Sequence, residues 1–160
     1  MGEPVASIAA LEELYRRRYR RFLRVSRALL GDGDRAWDAV QEAFARAIRA
    51  RFDYRGEGSL EAWLWRTLLN VCADEGRATV PPTAVEGAAV SNGAVDEWPE
   101  LRAAVAALPE RQRLILFLRH YADLDYETIA SAVGIRRGTV AAALHAAHRT
   151  LREALTEVRR

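Results

Sequence analysis

The chain has no lysine, one cysteine, five prolines and no apolar run approaching the roughly 18–20 residues that a membrane-spanning helix needs. The lone Cys72 rules out a disulfide framework and a cysteine metal site. No stretch alternates polar and apolar residues as a strand would, and no repeat recurs along the chain. Phosphate-binding glycine loops, nucleophile elbows and paired catalytic carboxylates are missing too. These gaps point away from an enzyme, a cofactor and a small-molecule substrate. Met1 to Ala10 carries Glu3 and no basic residue, so it does not read as a signal peptide, and a cytoplasmic protein is expected.

What is present is helical and arginine-rich. Half of the residues are hydrophobic and 29% are charged, which suits a globular protein. All 24 basic residues are arginine, whose planar fork matches phosphate oxygens. The abundance of alanine beside them fits GC-rich coding instead, and a net charge of +2 is too small to argue for nucleic acid alone. The densest cluster, Arg16, Arg17, Arg18, Arg20, Arg21, Arg24 and Arg27, reads first as the solvated face of a helix.

Helical periodicity predicts a first helix from Ala6 to Leu30, with Ile8, Leu11, Tyr15, Phe22, Ser26 and Leu29 inward and Gly31 and Gly33 ending it. Asp32 or Asp34 can cap a second helix whose Ala36, Val40, Phe44 and Ala47 line one face. Arg51 to Gly58 breaks the pattern. Ser59 then caps a third helix to about Arg77, with Leu60, Trp63, Leu64, Thr67, Leu68 and Val71 inward. On that stripe Trp63 belongs to the core, whereas Trp65 lies off it and is the better candidate for a surface role, along with Tyr54. Residues 79–95 hold Pro81-Pro82 and Ser91-Asn92-Gly93 with no sustained period, and read as a linker between a domain at 1–78 and another at 96–160. In the second domain Asp96 can cap a helix carrying Leu101, Val105 and Leu108. Pro109 suits the first turn of the next helix, to about Tyr121. Asp125 caps Tyr126 to Val133, and a last helix runs from about Gly138 toward Val158. The expected fold is therefore all-α: two small helical domains joined by a flexible linker.

The stretch Tyr126 to His145 reads as a helix-turn-helix. Ala130 is small where two helices cross, Gly134 supplies the positive φ of the turn, and Ile129, Val133, Ile135, Val140 and Leu144 supply buried contacts. The second helix would present Arg136, Arg137 and Thr139 at its N-terminal end, where recognition helices meet base edges and phosphates. A plain helical hairpin is the competing reading. His145 and His148 stand three apart and could share a metal, but no Cys or acid at matching spacing completes a site, so no metal is expected.

Three ordered blocks give the chain a family resemblance: Asp38-Ala-Val-Gln-Glu-Ala-Phe44; Phe52 through Arg66 with Asn70; and Leu108-Pro-Glu-Arg-Gln-Arg113 through Tyr126-Glu-Thr-Ile-Ala130 and Gly138-Thr-Val140. Over nearly its whole length it resembles an extracytoplasmic-function (group 4) RNA polymerase sigma factor. The resemblance implies core RNA polymerase and promoter DNA as partners, and an anti-sigma factor that occludes the same surfaces. Under it Asp38, Gln41 and Glu42 face the polymerase; without it they are ordinary exposed polar residues. Arg66 and Asn70, one turn apart, face the minus-10 element, with the Arg51 to Gly58 loop near an unstacked base. The helix-turn-helix reads the minus-35 element.

The sequence also departs from the family pattern. Ala141, Ala142, Ala143 and Ala146 stand where Lys, Ser, Arg and Arg are usual, and alanine offers a base edge only a methyl contact. Minus-35 readout then falls to Arg136, Arg137, Thr139, His145, His148 and Arg149, or the helix serves a protein partner in a sigma-derived adaptor. Thr67-Leu-Leu69 replaces a usual Ile-Ala-Arg, Glu75-Gly76 interrupts a basic run, and Trp37 replaces an acid beside Asp38, where it either strengthens an interface or packs inward.

Overall fold

A computed structural model describes residues 6–78 and 98–158; the predicted linker 79–95 and the proposed Asp96 cap lie outside the described residues. Among the described residues every regular element is a helix: α1 (Ile8–Leu30), α2 (Gly33–Arg49), α3 (Leu60–Ala78), α4 (Pro99–Ala106), α5 (Glu110–His120), α6 (Tyr126–Val133) and α7 (Arg137–Val158).

Local chemistry sets the boundaries. The first helix begins at Ile8 rather than at Ala6, because the Ser7 hydroxyl accepts from the Ala10 amide at 3.1 Å and so satisfies a donor the first turn leaves open. Asp32 does the same for α2, accepting from the Arg35 amide at 2.9 Å. Pro109 sits one position before α5 instead of within its first turn. α4 starts at Pro99 after Trp98, which makes no side-chain cap.

α1, α2 and α3 pack around three aromatic rings. Phe22 lies 4.3 Å from Trp65 between ring centroids and meets Phe44 edge-on at 5.5 Å. Ala36, Val40, Phe44 and Ala47 are buried as their spacing predicts. The inward face of α3 is turned from the predicted one. Trp65 is fully buried, whereas Trp63 is half-buried and leans on the Tyr54 ring at 5.5 Å. The observed stripe of Ala62, Leu64, Trp65, Leu68, Val71 and Cys72 is centred about one residue later, so that the Trp65 indole faces Phe22 at the α1–α3 crossing. In α1 the stripe is Leu11, Leu14, Phe22, Val25, Ser26 and Leu30; Leu29 is half-buried and Ile8 is 54% exposed. Buried Ser26 and Cys72 face each other at 3.8 Å.

The end of α3 is tied to α2 by charge. Arg35 donates to the Glu75 carbonyl at 3.0 Å and lies 3.8 Å from its carboxylate, and Arg46 reaches Asp74 at 3.5 Å. Each such exposed pair contributes about 0–1 kcal/mol.

In the second half, Ile115 and Leu118 of α5 meet Ile129 of α6 and Val140 and Leu144 of α7, all buried. α7 packs on α4 and α5, and α6 packs on both α7 and α3. The buried side chains of the two halves form one continuous cluster. Between the halves, Leu29, Leu69, Val105 and Phe117, with Glu110 and Arg113 among the charged residues beside them, line a cavity of about 720 Å³.

Candidate polymerase and nucleic-acid interfaces

Three surfaces carry the predicted functional residues. The first is the outer face of α2. Asp38 is exposed, and Gln41 and Glu42 are half-buried one turn further on. Gln41 donates to the Tyr15 hydroxyl at 3.1 Å, which fixes its amide against α1. Glu42 accepts from Arg46 at 2.8 Å and lies 3.3 Å from Arg49; the Arg46 hydrogen bond, above all, holds its carboxyl below the usual range. Asp38 is thus the readily available charge of the three. Trp37 is 42% exposed beside it, with its ring edge-on to Tyr19 at 5.9 Å, so it packs against α1 and still presents surface.

The second surface is α3 with the loop before it. Arg66 and Asn70 are both exposed. Arg66 donates to the Ser131 carbonyl near the end of α6, a bond of 2.5 Å. The loop is drawn to the same place: Gly58, at φ 76°, leaves no room for a Cβ, which would lie 2.8 Å from the Ser131 hydroxyl oxygen. Tyr54 donates to the Gly58 carbonyl at 2.9 Å. In this arrangement Asn70 is open, and Arg66 must leave a backbone carbonyl to reach a phosphate. Residue spacing holds no sign of that acceptor, because it is main chain and lies 65 residues away.

The arginine cluster of α1 is partly occupied internally. Arg18 pairs with Glu61 of α3 at 3.2 Å, Arg16 with Glu12 at 2.6 Å, and Arg21 donates to the Ala122 carbonyl at 3.1 Å. Arg17, Arg20 and Arg24 are exposed.

The third surface is the helix-turn-helix. The Asp125 carboxylate caps α6 by accepting from the Thr128 amide at 2.7 Å, and that bond is the main reason its pKa is lowered. Gly134 takes φ 77°, which lets its own amide and that of Ile135 both bond the Ala130 carbonyl, at 2.9 and 3.0 Å. Ala130 and Val140 are buried where α6 and α7 meet. Arg136, Arg137 and Thr139 are exposed at the start of α7, as are His145, His148 and Arg149 further along. Ala141 and Ala142 are exposed as well, while Ala143 and Ala146 are half-buried. His145 and His148 do not pair. His148 instead meets His120 from α5, a partner the spacing along α7 had no means to indicate.

Comparison with known proteins gives the family of the chain that carries these surfaces. Residues 14–79 match the family model described as Sigma-70 region 2, and residues 99–151 match the one described as Sigma-70, region 4. The RNA polymerase sigma-E factor of Streptomyces antibioticus is 30% identical over 154 residues, covering 92% of this chain and 86% of that protein. The chain belongs to the extracytoplasmic-function sigma factors. The RNA polymerase sigma-H factor of Pseudomonas aeruginosa is 33% identical over 144 residues, 78% of this chain and 75% of its own length. The ECF RNA polymerase sigma factor SigE of Mycolicibacterium smegmatis is 29% identical over 95% of this chain, which spans 64% of that longer protein. Two solved structures share the fold of this sigma factor. CnrH in complex with the cytosolic domain of CnrY has a TM-score of 0.73 at 20% identity, covering 94% of this chain and 90% of that one. The sigma factor RpoE from Bartonella quintana, in complex with the anti-sigma factor NepR, has a TM-score of 0.70 at 19% identity, covering 93% and 98%. Among the described residues no helix is long and apolar enough to cross a membrane.

Proposed function

We propose that this sigma factor binds core RNA polymerase through the Asp38, Gln41 and Glu42 face of α2, and directs it to promoters as a non-enzymatic cytoplasmic initiation factor. Residues 1–78 form the polymerase-binding and minus-10 domain, 79–95 the linker and 96–160 the minus-35 domain. Arg66 and Asn70 contact the minus-10 strand, and Arg136, Arg137, Thr139, His145, His148 and Arg149 contact the minus-35 duplex. One observation carries the reading: exposed Arg136, Arg137 and Thr139 crown a helix-turn-helix in the same chain that exposes Asp38, Arg66 and Asn70 on a three-helix bundle. Engagement of the minus-10 strand requires Arg66 to give up the Ser131 carbonyl, which rotation of that exposed side chain allows. The cavity between the halves, apolar with a charged rim, suits an anti-sigma factor that keeps them together.

Run-off transcription with core polymerase and a pool of genomic promoters tests this. Core-dependent initiation is expected, and Asp38→Arg should abolish both core association and transcripts. Stable association with core but no transcript from any promoter would favour the adaptor reading over this one.

A further inference from the structure

His120 ends α5 and His148 lies in the middle of α7, 28 residues apart in sequence, yet their Nε2 atoms are 3.0 Å from each other. The ring centroids are 5.3 Å apart with the planes at 69°, so the two rings meet nitrogen to nitrogen rather than face to face. Without an ion, this is one hydrogen bond in which one ring donates and the other accepts.

The same pair of side chains, turned on their exposed stems, offers two imidazole nitrogens to a metal. Two imidazoles bound through Nε2 at about 2.0–2.1 Å, with a tetrahedral angle at the ion, place their nitrogens about 3.3 Å and their centroids about 5.2 Å apart. At a right angle, as in square-planar or octahedral coordination, the nitrogens are about 2.9 Å apart. The observed spacings, 3.0 Å between nitrogens and 5.3 Å between centroids, put the two ring axes nearly in line, so each exposed ring turns by roughly 35° to take an ion between them. Both histidines are exposed, and water can fill the other coordination positions. Arg119 is the neighbouring cation, and its guanidinium is directed to Asp123 at 3.2 Å and to the Leu124 carbonyl at 3.4 Å. No third His, Cys, Asp or Glu gathers with the pair among the described residues, which favours metals content with two imidazoles and water.

We infer that His120 and His148 form a two-imidazole clamp for a divalent first-row transition-metal ion of the Zn²⁺, Ni²⁺ or Cu²⁺ class, fastening the recognition helix α7 to the end of α5. The clamp stands on its own geometry and does not depend on how promoters are read. An ion held only by the folded arrangement stabilises that arrangement by mass action, and it withdraws His148 from the surface offered to DNA.

The test uses the full-length chain without a histidine tag. Zn²⁺ and Ni²⁺ are titrated by calorimetry, and thermal melting is followed with and without each ion. One equivalent should bind, and melting should rise by several degrees at a hundredfold excess over the dissociation constant. His120→Ala and His148→Ala should each weaken binding at least tenfold and remove the shift, while His145→Ala leaves both unchanged. Melting without metal shows that each variant is folded, and His120→Gln and His148→Gln serve where an alanine variant is not. Absence of saturable binding, or binding that survives His120→Ala or is lost with His145→Ala, overturns the clamp.

Discussion

α3 and α7 present the two predicted DNA faces, and they are built in opposite ways. α3 carries polar chemistry on its outer face, Arg66 and Asn70, over a heavy aromatic base of Trp65 against Phe22. α7 rests on small aliphatic contacts, Val140, Leu144 and Ala147, and shows alanine at 141 and 142 where its surface is open. Its recognition chemistry is confined to Arg136, Arg137 and Thr139 at its start and to His145, His148 and Arg149 further along. The contrast teaches that helix stability and DNA readout are separable in this fold. Alanine is the best helix former, so α7 is well made as a helix and poorly equipped as a reader.

The strongest blow to this contrast falls on the base of α3. Trp65→Ala should destabilise the α1–α3 bundle by about 3–5 kcal/mol in urea unfolding, and Trp63→Ala by clearly less. Equal losses would mean that the indole at 65 is not the anchor. Next in size is the first turn of α7. Arg137→Ala should cost about 1–3 kcal/mol of minus-35 binding by fluorescence anisotropy, if that side chain reads a base. Among the described residues it makes a loose, exposed ion pair with Glu127 at 3.8 Å and lies 5.9 Å from the centre of the Tyr126 ring, contacts weak enough to exchange for DNA. Ala141→Lys sharpens the comparison from the other side: one restored phosphate contact should steepen the salt dependence of binding by about 0.9 in the log–log slope. An unchanged slope would show that this part of α7 does not face DNA.

The smallest effect concerns the α6 cap. Asp125→Ala should lower stability by about 1 kcal/mol, read by thermal melting near neutral pH. Because the Thr128 amide lowers the folded pKa of Asp125, its contribution is fully present above the unfolded value of about 3.9 and fades as pH falls through the folded one. Asp125→Asn should keep most of the cap and lose that acid dependence.

Much of this was legible in the sequence because the signals are local. Caps at Asp32 and Asp125, the glycine stop at Gly134 and the stripe of α2 each depend on residues within one or two turns. In α3, Leu64, Leu68 and Val71 are buried as read, but the two tryptophans are exchanged, for a corresponding reason. Its apolar positions are dense enough to support two overlapping stripes, and only Phe22 across the bundle decides that Trp65 rather than Trp63 turns inward. The Arg66–Ser131 and His120–His148 contacts were illegible because they join positions brought together by tertiary packing alone.

Cys72, buried against Ser26, has its thiol pushed up to about 11, chiefly by burial. At neutral pH on the order of one molecule in ten thousand would carry the nucleophilic thiolate that peroxides attack. With its single sulfhydryl so guarded, the folded chain offers oxidants no readily ionised thiol.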